Sequence, residues 1–291
     1  MLNKALSRAF AAGNVKALAA RIKSVSSIGK ITKAMKMVAA AKMRSEIARL
    51  QAGGNFGYTL ANTWFKGDET ARKFLPELGP ETRTLLVPFT SDKGLCGGVN
   101  SGIIREIKAI AAHKREKYAI FAIGEKGTLA LIRPFPDLLY KSITNIMAPV
   151  SFTTAAAIAQ SLEVAAKEKS CEKIELVFNE FKNVVTSKIR RTELMSRSGF
   201  RLGHYKSTFE VEEPDYPLAT EIYYDLYLAS TIYHAMLNNA SSEQSARMTA
   251  MESASKNCNE MIHKLKLEYN KVRQAKITME LCEIISGAEA L

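Results

Sequence analysis

Leu218 to Ser286 reads LATEIYYDLYLASTIYHAMLNNASSEQSARMTAMESASKNCNEMIHKLKLEYNKVRQAKITMELCEIIS, 69 consecutive residues without a proline or a glycine. As one α-helix at 1.5 Å per residue the run would be about 100 Å long. Globular helices are usually three or four turns, so an unbroken pattern of this length points to a coiled coil, a membrane span or a repeat. Glu243, Arg247, Lys256, Lys264 and Lys266 rule out a span. A coiled-coil rod is therefore predicted, and the rest of the chain has to supply its partner.

Within the run, Ile222, Leu226, Ala229, Tyr233, Met236 and Ala240 step by four and three, a heptad seam. Met251, Ala254, Cys258, Met261, Leu265, Tyr269 and Val272 resume it, and Ile277, Leu281, Ile284, Ala288 and Leu291 close it. Between the first two stretches lies a small, polar belt, Ser241–Arg247. A second helical pattern stands near the other end of the chain. Leu18, Ile22, Val25, Gly29, Thr32, Met35, Ala39, Met43, Ile47 and Leu50 recur with a mean spacing near 3.56, between a straight helix and a heptad repeat. Gly29 and Ala39 on that seam would let a partner helix come close, and the Gly29 contact would offset a helix-propensity cost of up to about 1 kcal/mol. Gly53-Gly54 reads as the stop of this helix.

The two helices flank everything else, so they are expected to run antiparallel from a common foot. The first offers about 37 residues against the 69 of the second. Roughly 30 residues of the long helix, from near His263 onward, would then lack an intrachain partner while carrying an apolar stripe. A helix of that kind needs burial, which another protein must provide.

Between the helices the pattern changes. Residues 53–81 read as a connector with breaks at Gly67, Pro76, Gly79 and Pro80, and Trp64 reads as a packing anchor. Residues 82–196 alternate strands and helices. Strands are predicted at Thr84–Thr90, Tyr118–Ile123 and Leu139–Ile143, with a closing hairpin of Lys173–Phe181 and Val184–Leu194. Helices fall near 99–117, 125–131 and 153–169. The implied fold class is α/β, a Rossmann-like domain with a mostly parallel sheet and an antiparallel edge, inserted between the two helices of a long coiled coil. Residues 197–216 read as a linker, residues 13–52 and 217–291 as the two coiled-coil helices.

The chain has 291 residues, 47% of them apolar, and a net charge of +12. The excess is local. Ten cations from Lys4 to Arg44 precede the first acid, Glu46, and the other 246 residues hold 31 basic and 29 acidic groups. A segment like this suits nucleic acid, an anionic membrane or an acidic protein surface. Residues 1–12, MLNKALSRAFAA, have the basic, acid-free composition of a mitochondrial presequence. No apolar run of about 18 residues is present, and the four scattered cysteines and four histidines show no metal-ligand spacing.

The one motif that resembles a reactive site is the turn Gly94-Leu95-Cys96-Gly97-Gly98 after the first strand. It is neither a GxGxxG nor a Walker A loop, and Glu125 lies too far along for a ribose-binding acid. Turn and packing glycines are the better reading. Cys96 has no histidine near it in sequence, and Asp92 and Lys93 can cap and charge the turn without catalysing anything. No catalytic residue, cofactor or metal is expected.

Arg21–Met43 (RIKSVSSIGKITKAMKMVAAAKM) resembles the opening helix of the gamma-subunit family of the rotary, F-type ATP synthase. Thr90–Gly98 (TSDKGLCGG) resembles that family's loop after its first strand. Ser242–Met251 (SEQSARMTAM) and Tyr269–Leu291 (YNKVRQAKITMELCEIISGAEAL) resemble its closing helix. The resemblance implies a rotor shaft, the central stalk, held in a ring of three alpha and three beta subunits. Its α/β foot would join small delta- or epsilon-type stalk subunits and the membrane c-ring, the only link to the membrane. It also implies partner contacts through Lys30, Lys33, Met35 and Lys36 on the basic helix and Arg247 in the polar belt. Arg273 and Gln274 would touch a beta-subunit loop, and Ile277, Leu281, Ile284 and Leu291 would turn in a sleeve. Between Leu194 and Pro217 there is no cysteine, where chloroplast members carry a regulatory pair. With the presequence-like start this implies a mitochondrial protein at the matrix face of the inner membrane, and leaves a bacterial origin open. The competing reading is a dinucleotide enzyme dimerised by its coiled coil. Nucleic-acid binding lacks the interleaved aromatics that would support it.

Overall fold

The computed structural model describes residues 2–66, 82–113, 115–195, 197 and 216–289, with most side chains described from Val15 onward. In chain order these are α1 (Leu2–Lys66), β1 (Thr84–Pro88), α2 (Val99–Ala112), β2 (Tyr118–Ile123), α3 (Glu125–Leu131), β3 (Leu139–Ile143), α4 (Phe152–Glu168), β4 (Lys173–Phe181), β5 (Ser187–Met195) and α5 (Tyr216–Glu289). The chain forms two compact units, residues 39–247 and residues 1–38 with 248–291.

In the unit of residues 39–247, the strands make one sheet in the order β3-β2-β1-β4-β5. β1 to β4 pair in parallel and β5 runs antiparallel along β4. Alternate residues of each strand face opposite ways, so both faces need cover. Leu85, Val87, Phe121, Ile174 and Phe178 join Leu162 of α4 and Leu228 and Ile232 of α5 in one core. Leu86, Ile120 and Val177 face Ile103 and Ile107 of α2 and Leu131 of α3 in the other. The short apolar run at β1 is buried throughout because it is central in the sheet.

The loop after β1 is held by the neighbouring strand ends. Thr90 donates from its backbone and its hydroxyl to the Ile123 carbonyl, both at 2.8 Å, and accepts from the Gly127 N–H at 2.9 Å. Asp92 accepts from the N–H groups of Glu125 (2.9 Å) and Ile146 (3.0 Å), so it tethers the segments after β2 and β3 rather than capping its own turn. Gly97 takes a positive φ of 61° in the glycine turn, the use expected for it. Cys96 is buried and accepts from the Asn100 amide at 3.2 Å. A structural network, not a nucleophile with a base, surrounds it.

Two expectations about the helices are corrected. α1 does not stop at Gly53-Gly54 but continues to Lys66. A Cβ on Gly53 would lie 3.0 Å from Leu237 and 3.1 Å from Tyr233, so this glycine permits close packing against α5 instead of ending a helix. Tyr233 and Phe56 each meet Phe152 of α4 edge-to-face, at 5.9 and 5.8 Å. The first heptad seam of α5 holds at Ala229 and Met236, which are buried, and at Tyr233 and Ala240, which are half-buried, but it fails at its start and is too narrow. Ile222 and Leu226 are exposed, whereas Tyr224, Tyr227, Leu228, Ile232, Ala235 and Leu237 are buried. Here the helix covers a sheet as well as another helix, so a broad face is buried, not a narrow stripe.

The start of α5 is fixed by charge. Arg197 donates to both oxygens of Glu163 on α4 (2.6 and 2.9 Å) and pairs with Glu221 and Asp225 on α5. Its guanidinium lies 4.9 Å from the centre of the Tyr224 ring. Burial alone would raise the Glu163 carboxyl, but the hydrogen bonds from Arg197 and Lys167 outweigh it and hold the group below the usual carboxylate range. The residues read as the linker lie, apart from Arg197 and Tyr216, outside the described residues, as do residues 67–81 of the connector.

Candidate partner interface

The polar belt of α5 turns out to be its anchor on the α/β domain. Ser242 Oγ donates to the Asn179 carbonyl at 3.1 Å, and Ser245 Oγ donates to that of Val184. Asn238 accepts from the Phe181 N–H at 3.2 Å, and Asn239 accepts from the Asn179 amide at 3.1 Å. Small hydroxyl residues let the helix approach these strand ends while satisfying their backbone groups. Arg247, named among the partner contacts, is only 9% exposed. Its guanidinium donates to Glu243 (2.6 Å) and to the carbonyls of Lys93 (3.4 Å) and Gly94 (3.3 Å). Burial pushes the Glu243 carboxyl up, and Arg247 opposes that shift.

In the unit of residues 1–38 and 248–291 the helix seam falls where the periodicity puts it. Val25 and Thr32 are buried and Leu18, Ile22, Gly29 and Met35 are half-buried, while Lys23, Lys30 and Lys33 are exposed. A Cβ on Gly29 would sit 3.4 Å from the Cβ of Cys258, and Lys36 pairs with Glu252 at 3.0 Å. From Gly29 to Lys36 the number rises, and from Cys258 to Glu252 it falls. The Lys36 hydrogen bond holds the Glu252 carboxyl below its usual range.

Cover on α5 extends further than expected. Leu265 is buried and Tyr269 and Val272 are half-buried, past the His263 boundary. α1 itself begins at Leu2, not near Val15, and is longer than the 37 residues expected. The segment read as presequence-like is part of that helix. Beyond Val272 the stripe is open: Ile277 and Leu281 are half exposed and Ile284 is 72% exposed. Arg273 and Gln274 are exposed next to it, and Leu291 lies outside the described residues. Sequence reasoning missed a second apolar surface. Ile28, Ile31, Met37 and Val38 on α1 are all more than half exposed, among Lys30 and Lys33. They fall between seam positions, and that off-seam apolarity was the available signal. Contiguous apolar residues left in solvent at this density mark contact surfaces.

No described helix is long and apolar enough to cross a membrane. The family model described as ATP synthase matches residues 14–291. The mitochondrial ATP synthase subunit gamma of Drosophila melanogaster is 36% identical over 95% of this chain and 90% of its own length. The ATP synthase gamma chain of Zymomonas mobilis is 35% identical over 96% and 99%. Among solved structures, a chain from the central stalk and c-ring of the Tetrahymena thermophila mitochondrial ATP synthase is 43% identical. It aligns with a TM-score of 0.71 over 77% of this chain and 99% of that one. A chain of the Euglena gracilis mitochondrial enzyme shares the fold at 23% identity, with a TM-score of 0.77 over 96% and 95%.

Proposed function

The chain belongs to the gamma family of ATP synthase subunits, and from that premise we propose how its exposed surfaces turn rotation into ATP synthesis. As a member of the family it serves in the central stalk of the rotor, together with the F1 hexamer of alpha and beta subunits, the other stalk subunits and the c-ring. It has no catalytic role of its own, since catalysis resides on the beta subunits.

In this reading α1 and α5 form an antiparallel coiled coil whose far end lies inside the hexamer, and the Rossmann-like α/β unit is the foot. Lys30, Lys33 and Lys36, with Met35 beside them, face acidic surfaces of the beta subunits. Exposed lysines suit that role because they attract an acidic partner without fixing one geometry. Lys36 shares its charge with Glu252. Arg273 and Gln274 meet a beta-subunit loop. Ile277, Leu281, Ile284 and Leu291 turn in an apolar sleeve, where unspecific contacts permit rotation better than fixed hydrogen bonds would. Arg247 acts from within the chain, holding α5 to the turn at Lys93-Gly94. Proton flow turns the c-ring and the foot. The asymmetric shaft then favours a different conformation at each beta site in turn, a population shift imposed in order. The mitochondrial relatives support placing the chain in mitochondria, and in this reading it works at the matrix face of the inner membrane.

The observation that carries the reading is the open stripe at Ile277, Leu281 and Ile284. Deleting Ile277 to Leu291 is expected to leave the complex assembled but lower the ATP made per proton translocated, measured in reconstituted vesicles. Failure of the truncated chain to assemble at all would count against a bearing role for this segment.

A further inference from the structure

Within the unit of residues 39–247, His234 on α5 lies where that helix meets α1 and the β4–β5 hairpin. The imidazole is half-buried. Its Nδ1 is wholly buried without a partner in hydrogen-bond geometry, on the side of the Gly54 backbone of α1. Its Nε2 lies 3.0 Å from the side-chain nitrogen of Asn238, one turn further along α5. The rotor reading makes no use of this ring.

The bonds of Asn238 determine which ring nitrogen carries the proton. Asn238 Oδ1 accepts from the Phe181 N–H at 3.2 Å, so Nδ2 is on the opposite side, where it donates to the His234 carbonyl at 3.0 Å. Phe181 N–H can only donate and the His234 carbonyl can only accept, so the amide is oriented from both sides. Facing Nδ2, the ring nitrogen Nε2 must be an acceptor, and the single proton of the neutral ring sits on Nδ1. A second proton has no place. On Nε2 it would meet the Asn238 N–H groups, donor against donor. Turning the amide over to present Oδ1 would remove the acceptor of the Phe181 N–H, a bond that ties α5 to the end of β4.

The charged groups facing the ring are Arg190 on β5 and Glu180 on β4, which pair with each other at 2.7 Å; α1 presents only the backbone of Gly54. Burial works to raise the Glu180 carboxyl, but hydrogen bonds from Lys182 and Arg190 outweigh it and hold the group below its usual range. Burial first, then Arg190, pushes the imidazole below its ordinary value, against the pull of Glu180 and Gly54. A base lowered in this way costs stability as pH falls below about 6.5, where the unfolded chain takes a proton that the folded chain refuses. We propose that His234 is an acid-sensitive latch: while neutral it holds α5 to the end of β4 through Asn238, and a second proton on the ring releases that anchor. The adjoining bonds of Ser242 and Asn239 to Asn179 contain no titrating group, so the release is local. The latch follows from this chain's own fold and does not depend on the rotor reading.

Hydrogen exchange of the assembled complex, resolved to the Phe181 amide by fragmentation mass spectrometry, reads the released bond directly. Protection of that amide, relative to the unfolded-chain rate at each pH, should fall at least about fivefold between about pH 7.5 and about pH 5.5. Residues 174–178 in the buried part of β4 should hold their protection. His234→Gln, whose side-chain carbonyl can still accept from Asn238 but does not titrate, should show no such fall. Asn238→Asp supplies a carboxylate that accepts from both the Phe181 N–H and a protonated ring, so protection there should persist or rise in acid, and this variant serves if the Gln side chain misplaces Asn238. Protection of Phe181 that is independent of pH in the parent, or an acid-induced fall that persists in both variants, would overturn the proposal.

Discussion

Replacing Gly124 with alanine is expected to destabilise the α/β unit by about 4 kcal/mol, which few single substitutions reach. Gly124 has φ 96° and ψ 142°, a region that side chains rarely enter and that costs about 1–3 kcal/mol. An added Cβ would also lie 2.2 Å from the Thr90 carbonyl oxygen. That oxygen cannot move freely, because Thr90 is held by two hydrogen bonds to Ile123 and by the Gly127 N–H. Gly127→Ala should cost less, since the 2.5 Å contact there is with the Thr90 hydroxyl, a side-chain group that can rotate at the loss of its bonds to the Ile123 carbonyl and from the Gly127 N–H. Gly98→Ala, with no atom within 4 Å of its Cβ, should be nearly neutral. Urea unfolding of the full chain followed by circular dichroism would rank the three. A Gly124→Ala variant within about 1 kcal/mol of the parent would refute the argument that packing at these crossing loops fixes the site.

Arg247→Ala should cost about 3 kcal/mol at neutral pH, because it strands the buried Glu243 carboxylate. The pH dependence gives the sharper signature. Glu243 already titrates above its ordinary 4.5 because burial disfavours its charge and Arg247 only partly offsets this. An acid raised in the folded state contributes stability below its unfolded pKa, and that contribution is lost as pH rises through the folded value. Removing Arg247 raises the folded value further. The deficit of Arg247→Ala should therefore be smaller near pH 5 than at pH 8. Adding Glu243→Gln should recover more than half of it. A deficit independent of pH, with no recovery in the double variant, would mean that the lost bonds to Lys93 and Gly94 dominate.

These two sites show what could be read from the sequence. The bounds of β2 and β3 were legible to the residue: β2 is a buried apolar run closed by Gly124, and β3 is a short edge strand between Leu138 and Thr144. The α1 seam was legible because one helix facing another buries every third or fourth position. The first α5 seam was legible only from Ala229 onward, because burial at the start of α5 is dictated by the sheet beneath it. Gly53 was misread for a related reason: a glycine that ends a helix and one that admits a neighbour look the same without that neighbour. The belt at Ser241–Arg247 stood out as polar, yet its bonds reach Asn179, Val184, Lys93 and Gly94, contacts over 61 to 154 positions that no local pattern encodes. The open stripe from Ile277 was the clearest signal, since it needed only the arithmetic of two unequal helices.

The exposed faces of α1 and the end of α5 need a sheath that the described residues do not provide, and one shaft inside a threefold ring gives a definite ratio. Native mass spectrometry of the complex purified through this chain tests that most directly. One copy for every three beta subunits is the predicted result, whereas a self-sufficient symmetric homodimer that lacks them would contradict the account.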